Sequence, residues 1–99
     1  MRLSPDHICK IKQHTQDIFG ADARVWLFGS RVDDAAKGGD VDLLVESAVM
    51  PPSPALASAQ LAARASRAML GRRVDVVLSA PGLLELPIHR IARAEGVLL

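Results

Sequence analysis

The segment Asp40-Val41-Asp42-Leu43-Leu44-Val45 restricts the fold more than any other stretch of this chain. Successive side chains of a strand point to opposite faces, so Asp40 and Asp42 share one face while Val41, Leu43 and Val45 take the other. The apolar face has to be buried, and the acidic face has to be solvated or used. Acids at i and i+2 lie about 7 Å apart, near enough to grip one cation from two sides. A second strand-like run, Val25-Trp26-Leu27-Phe28, leads directly into Gly29-Ser30, and the nine residues Arg31 to Gly39 then separate this turn from the acids. A Gly-Ser turn and a carboxylate pair are therefore placed where a metal-bound triphosphate fits between them.

The remaining elements follow from punctuation. Ser4 caps a helix with Pro5 at its first position, and Ile8, Ile11 and Ile18 recur on one face, which predicts an amphipathic helix over 5–19 ending at Gly20. A strand is expected at 24–28, a short helical turn at 30–34, a loop at Lys37-Gly38-Gly39 and a strand at 40–46 closed by Pro51-Pro52. Ser53-Pro54 repeats the cap signal, and the Ala-rich stretch to Leu70 predicts a second helix stopped by Gly71. From Arg73 to Leu78 the pattern alternates again, with Val74, Val76 and Leu78 on one face and Asp75 beside Val77 on the other. A carboxylate among β-branched residues must be solvated, paired or used, which makes Asp75 the third acid of interest. A last helix over 84–95 and a short terminal strand at Gly96-Val97-Leu98-Leu99 complete the reading. Helices and strands interleave, so the expected fold class is α/β, more narrowly α+β: a small mixed sheet with helices packed on one face.

Composition bounds the possibilities. Ninety-nine residues suit a single domain over 1–99, with one modest core and no room for a separate acceptor-holding domain. The hydrophobic fraction of 49% includes fifteen alanines, which favour helix and add little core volume. No apolar run approaches the roughly 18 residues of a membrane span, and the amino terminus lacks the apolar centre of a signal peptide. Cys9 is the lone cysteine, which precludes an internal disulfide and suits a reducing cytoplasm. The net charge of +1 argues neither for nor against nucleic acid, and direct nucleic-acid binding is not expected. Residues 1–49 carry eight acids and six bases, and residues 50–99 three acids and six arginines. Arg64, Arg67, Arg72, Arg73, Arg90 and Arg93 are therefore either solvated charges or a surface facing an anion or an acidic partner.

Leu27-Phe28-Gly29-Ser30-Arg31, with Gly39-Asp40-Val41-Asp42-Leu43-Leu44-Val45 and a later strand carrying Asp75, resembles the minimal nucleotidyltransferases of the polymerase β-like superfamily. The resemblance extends from the capped first helix to the terminal Gly-Val. It lacks the carboxy-terminal helical extension with which many larger relatives hold an acceptor. Nucleotidyl transfer develops charge on the attacking and the leaving oxygens, and two divalent ions about 4 Å apart stabilise both. Mg²⁺ requires hard oxygen ligands, which aspartates supply. The resemblance implies that Asp40 and Asp42 hold the metal that carries the triphosphate of ATP. Asp75 would complete a second metal site with Asp42 or help deprotonate the acceptor hydroxyl. It further implies that Gly29, Ser30 and Arg31 contact the phosphates, with Lys37 as a further cation. Small members of this family are commonly antitoxins whose partner is an all-helical HEPN ribonuclease toxin, modified on tyrosine.

Plainer readings stand beside each assignment. Gly29-Ser30 also suits an ordinary turn, Asp40 and Asp42 a solvated edge strand, and Asp75 a structural partner of Arg73. Asp33 and Asp34 read as loop acids, His7 and His14 as surface residues, Cys9 as a small buried or half-buried side chain, and Trp26 and Phe28 as core. At the level of function, an AMP-transferring enzyme competes with an inactive module that neutralises a partner by contact. A glycosyltransferase built on Asp-x-Asp needs a larger architecture than this chain provides.

Overall fold

A computed structural model describes residues 3–29 and 40–99. The elements run α1 (Pro5–Phe19), β1 (Arg24–Phe28), β2 (Val41–Glu46), α2 (Pro54–Ala68), β3 (Val74–Ser79), α3 (Pro87–Glu95) and β4 (Val97–Leu98). The expected helical turn at 30–34 and loop at 37–39 lie outside the described residues.

The strands form one mixed sheet in the order β3-β2-β1-β4. β1 pairs antiparallel with β2 and with β4, whereas β2 and β3 run parallel. A parallel pair needs a long crossover, and α2 supplies it. Val25 and Leu27 of β1, Val41, Leu43 and Val45 of β2, and Val74 of β3 meet Ile11 and Phe19 of α1 and Ala57, Leu61 and Ala65 of α2 in the main core. The acidic strand thus buries its apolar face, as its alternation requires.

The expectation of helices on one face holds for α1 and α2, but α3 packs on the other. Ala92 joins Phe28 and Leu44 in a smaller cluster flanked by Trp26 and Val77. The physical reason lies in the even positions of β1 and β2: Trp26, Phe28 and Leu44 make that face apolar over half its length, and this area needs cover. A polar lock holds the helix there. Trp26 Nε1 donates to Glu46 Oε1 at 2.6 Å, Arg93 Nε donates to Glu46 Oε2 at 3.2 Å, and Arg93 Nη2 donates to Ser79 Oγ at 2.9 Å. Glu85 pairs with Nη1 of the same guanidinium.

Local signals explain the ends of the helices. His7 N–H donates to Ser4 Oγ at 3.1 Å, the expected cap. Ser53 makes no side-chain cap bond, and α2 ends at Ala68 rather than Leu70 because Leu70 and Gly71 adopt φ of 59° and 87°, outside helical space. α3 starts at Pro87 rather than at 84. Proline disfavours helix in the residue before it, and Leu86 is extended. His89 completes that start, accepting from Leu86 N–H on Nδ1 at 2.8 Å. Its Nε2 therefore carries the proton and donates to Leu78 O at 3.0 Å, which ties α3 to the outer side of β3.

Leu43 is fully buried in the central strand of the core. Leu43→Ala is expected to lower unfolding stability by about 2–5 kcal/mol in urea titration, the loss typical of a buried leucine that leaves a cavity.

Candidate functional site

Register assembles the site. In the parallel ladder Asp42 stands directly opposite Asp75, and across the antiparallel ladder Phe28 stands opposite Asp42. The residue after Phe28 is Gly29, so the turn that leaves β1 lies against the acid in the neighbouring strand. Gly29 has φ 75°, and a methyl group on its α-carbon would collide with Asp42 Oδ2. Glycine is required here twice, by conformation and by the space that the carboxylate occupies.

The backbone also places a cation. Val41 N–H donates to Arg73 O at 2.9 Å, which carries the ladder one step beyond β3 and sets Arg73 beside Asp40. Arg73 Nε lies 3.5 Å from Asp75 Oδ1 and 4.0 Å from Asp40 Oδ2. The structural pairing of Asp75 with Arg73 weighed from sequence is therefore present. Burial, followed by the charges of Asp75 and Asp40, raises the Asp42 carboxyl above its ordinary pKa, with Arg73 pulling in the opposite direction.

Asp40, Asp42 and Asp75 are thus electrostatic neighbours on the sheet face that α3 leaves open. Among the described residues no group of three His, Cys, Asp or Glu side chains is arranged to hold a metal ion. The donor set nevertheless suits a hard divalent cation, because its oxygens are all carboxylate and a guanidinium already bridges two of the acids. Gly29 takes the expected place at the turn, while Ser30, Arg31, Lys37, Asp33 and Asp34 lie outside the described residues.

Other expectations change. Cys9 is exposed rather than buried, and His7 and His14 are half-buried on α1. Trp26 is part-buried and hydrogen-bonded through its indole. Three arginines of the second half have carboxylate partners within the chain: Arg73 as above, Arg90 with Glu85 at 3.9 Å, and Arg93 with Glu46 and Glu85. Sequence reading missed His89 and the Arg93–Glu46 lock, since neither has a signal in spacing. No helix among the described residues is long and apolar enough to cross a membrane.

Two measurements test this geometry. Gly29→Ala is expected to destabilise the fold by more than about 1 kcal/mol in chemical denaturation, because alanine at positive φ is strained and its methyl displaces the Asp42 carboxylate. An acid whose folded pKa is raised holds its proton more tightly folded than unfolded. Its contribution to stability is present below the ordinary carboxylate pKa and is lost as pH rises through the folded value. In buffer containing a chelator, Asp42→Asn should remove this part of the pH dependence and leave the variant at least as stable as the parent at neutral pH.

Against known proteins, no curated protein matches the chain. A family described as "Nucleotidyltransferase domain" matches residues 8–96, from the first turns of α1 to the glycine before β4. The match spans the Gly29 turn, the three acids and the strands that juxtapose them, and the chain therefore belongs to the nucleotidyltransferase domain family, which makes it a transferase of nucleotidyl groups.

Proposed function

We propose that the chain transfers AMP from Mg-ATP to a hydroxyl of a partner protein, a tyrosine of a HEPN-type ribonuclease toxin, and so serves as the antitoxin of a two-protein module. One observation carries the transferase reading: Asp42 and Asp75 face each other across a parallel ladder beside a glycine turn that admits no side chain. Such an arrangement of like charges is unfavourable unless a cation or a proton relieves it. The finer assignments of AMP, tyrosine and a toxin rest on the resemblance to minimal nucleotidyltransferases.

In this reading Asp40 and Asp42 would hold the Mg²⁺ that carries the triphosphate, and Asp42 with Asp75 would hold a second. Bound there, the metal would supply Lewis-acid stabilisation of the charge developing on the attacking and leaving oxygens. The chain's own groups orient the reactants. Gly29 lets the backbone approach the phosphates closely, and Ser30 and Arg31 offer a hydroxyl, an amide and a guanidinium to the departing pyrophosphate. Where Asp75 does not complete the second metal site with Asp42, it receives the proton of the acceptor hydroxyl as that oxygen attacks the α-phosphorus and pyrophosphate departs.

A protein acceptor accords with the apolar surface on and around α3. Leu84, Leu86, Ile88 and Ile91 are all more than a third exposed, as are Val97 and Leu98 of β4. The same surface supports a second reading, in which the chain silences its partner by contact and the nucleotide site is vestigial.

Labelling separates the two. With Mg²⁺ and α-labelled ATP, the chain should transfer label to a HEPN-type toxin partner, and Asp42→Ala or Asp75→Asn should abolish transfer while circular dichroism is unchanged. Transfer that survives both substitutions would falsify the mechanism. Silencing of the toxin by both variants, without labelling, establishes the contact reading instead.

A further inference from the structure

We propose that Arg73 is an internal competitor for the cation at the carboxylate cluster, so that a divalent ion binds Asp40 and Asp75 only as this guanidinium lets go of them. The inference rests on the cation-binding reading of the three acids given above and adds a residue that sets how tightly a cation is held.

The ladder makes Arg73 part of a four-cornered ionic arrangement. Asp42 is opposite Asp75, and the Val41–Arg73 backbone bond places Asp40 beside Arg73. Asp40 and Asp42 share a face by their i, i+2 spacing, and so do Arg73 and Asp75. Three corners are acidic and one is basic. The backbone of Arg73 is pinned by that 2.9 Å bond, but its side chain is 73% exposed. The guanidinium can therefore swing into solvent without disturbing the strand that carries it.

Guanidinium stays protonated at any pH a folded protein meets, so its charge cannot be titrated away. It has to be displaced, because the two oxygens it approaches belong to carboxylates of the cation-binding reading. Exposed ion pairs of this kind shift an equilibrium by roughly 1.4- to 5-fold each. Two such pairs weaken cation binding by about 2- to 25-fold together, enough to matter and too little to block it. A doubly charged ion gains twice the Coulomb energy of a singly charged one at the same oxygens. Displacing Arg73 costs the same for either ion, so the doubly charged one meets that cost more readily. Linkage makes the effect reciprocal: whatever draws Arg73 away from Asp75 and Asp40 tightens the cation by the same factor.

The test is Mn²⁺ binding by the full chain, read from the electron paramagnetic resonance signal of free Mn²⁺ in fixed KCl. Parent, Arg73→Met, Arg73→Gln, Arg72→Met and Asp42→Asn are compared after circular dichroism has confirmed folding. Arg73→Met and Arg73→Gln are expected to bind Mn²⁺ about 2- to 25-fold more tightly than the parent. Arg72→Met deletes the same charge one residue away and should change affinity by less than about twofold. Unchanged or weaker binding in both Arg73 variants overturns the proposal, and so does equal tightening by Arg72→Met, which would reduce the effect to net charge. The Asp42→Asn arm judges the underlying reading separately. Mn²⁺ affinity insensitive to Asp42 removes the carboxylates as the cation site, whereas Asp42-dependent binding with inert Arg73 variants refutes the competitor alone.

Discussion

The register of the parallel ladder between β2 and β3 is the constraint on which the site depends. Sliding it by one residue would turn Asp75 into the apolar core and bring a valine opposite Asp42. The core prevents the slip, because Val41, Leu43 and Val45 must enter the same layer as Val74, Val76 and Leu78. Hydrophobic burial thus holds two carboxylates opposite each other although they repel, and desolvation first and this repulsion second raise the Asp42 pKa. Stability and chemistry are in opposition at this position. The fold supplies the energy that keeps the acids together, and Arg73 offsets part of their repulsion at the rim.

The face opposite the main core is divided along its length. Reading β2 from its start, Asp42, Leu44 and Glu46 point to the same side, and they meet respectively the acidic cluster, the α3 contact and the Arg93 lock. One strand face therefore runs from a chemical end to a structural end within six residues. Glu46 and Arg93 are each about one-third exposed, and their pair is tied into Trp26 and Ser79, so it acts through geometry more than through Coulomb energy. The lock clamps α3 at this end, away from the Asp42 end, where the proposed function would need nucleotide and acceptor to enter.

Much of this was legible in the residues before any coordinates. Alternation in Asp40–Val45 and in Val74–Leu78 identified which side chains face the core and which do not, because period-two patterning survives tertiary context whenever one face is buried. Gly29 stood out for its position between strand and acids. Less legible was the exact role of the second-half arginines. Their sequence spacing resembles solvated charge, and only folding brings Arg93 to Glu46, forty-seven residues away. Likewise α3 was recognisable as a helix, but its side of the sheet depends on how Trp26, Phe28 and Leu44 compete with α1 and α2 for cover.

The sequence by itself determined the sheet-forming segments, the capped first helix, the glycine turn and the identity of the three acids, since each follows from local pattern and side-chain chemistry. Only the tertiary structure decided that Asp42 opposes Asp75, that Arg73 stands between Asp75 and Asp40, and that α3 covers the second face. These are matters of register and of packing between segments distant in the chain, and no local propensity specifies them. They are settled when the apolar faces find one mutually consistent burial.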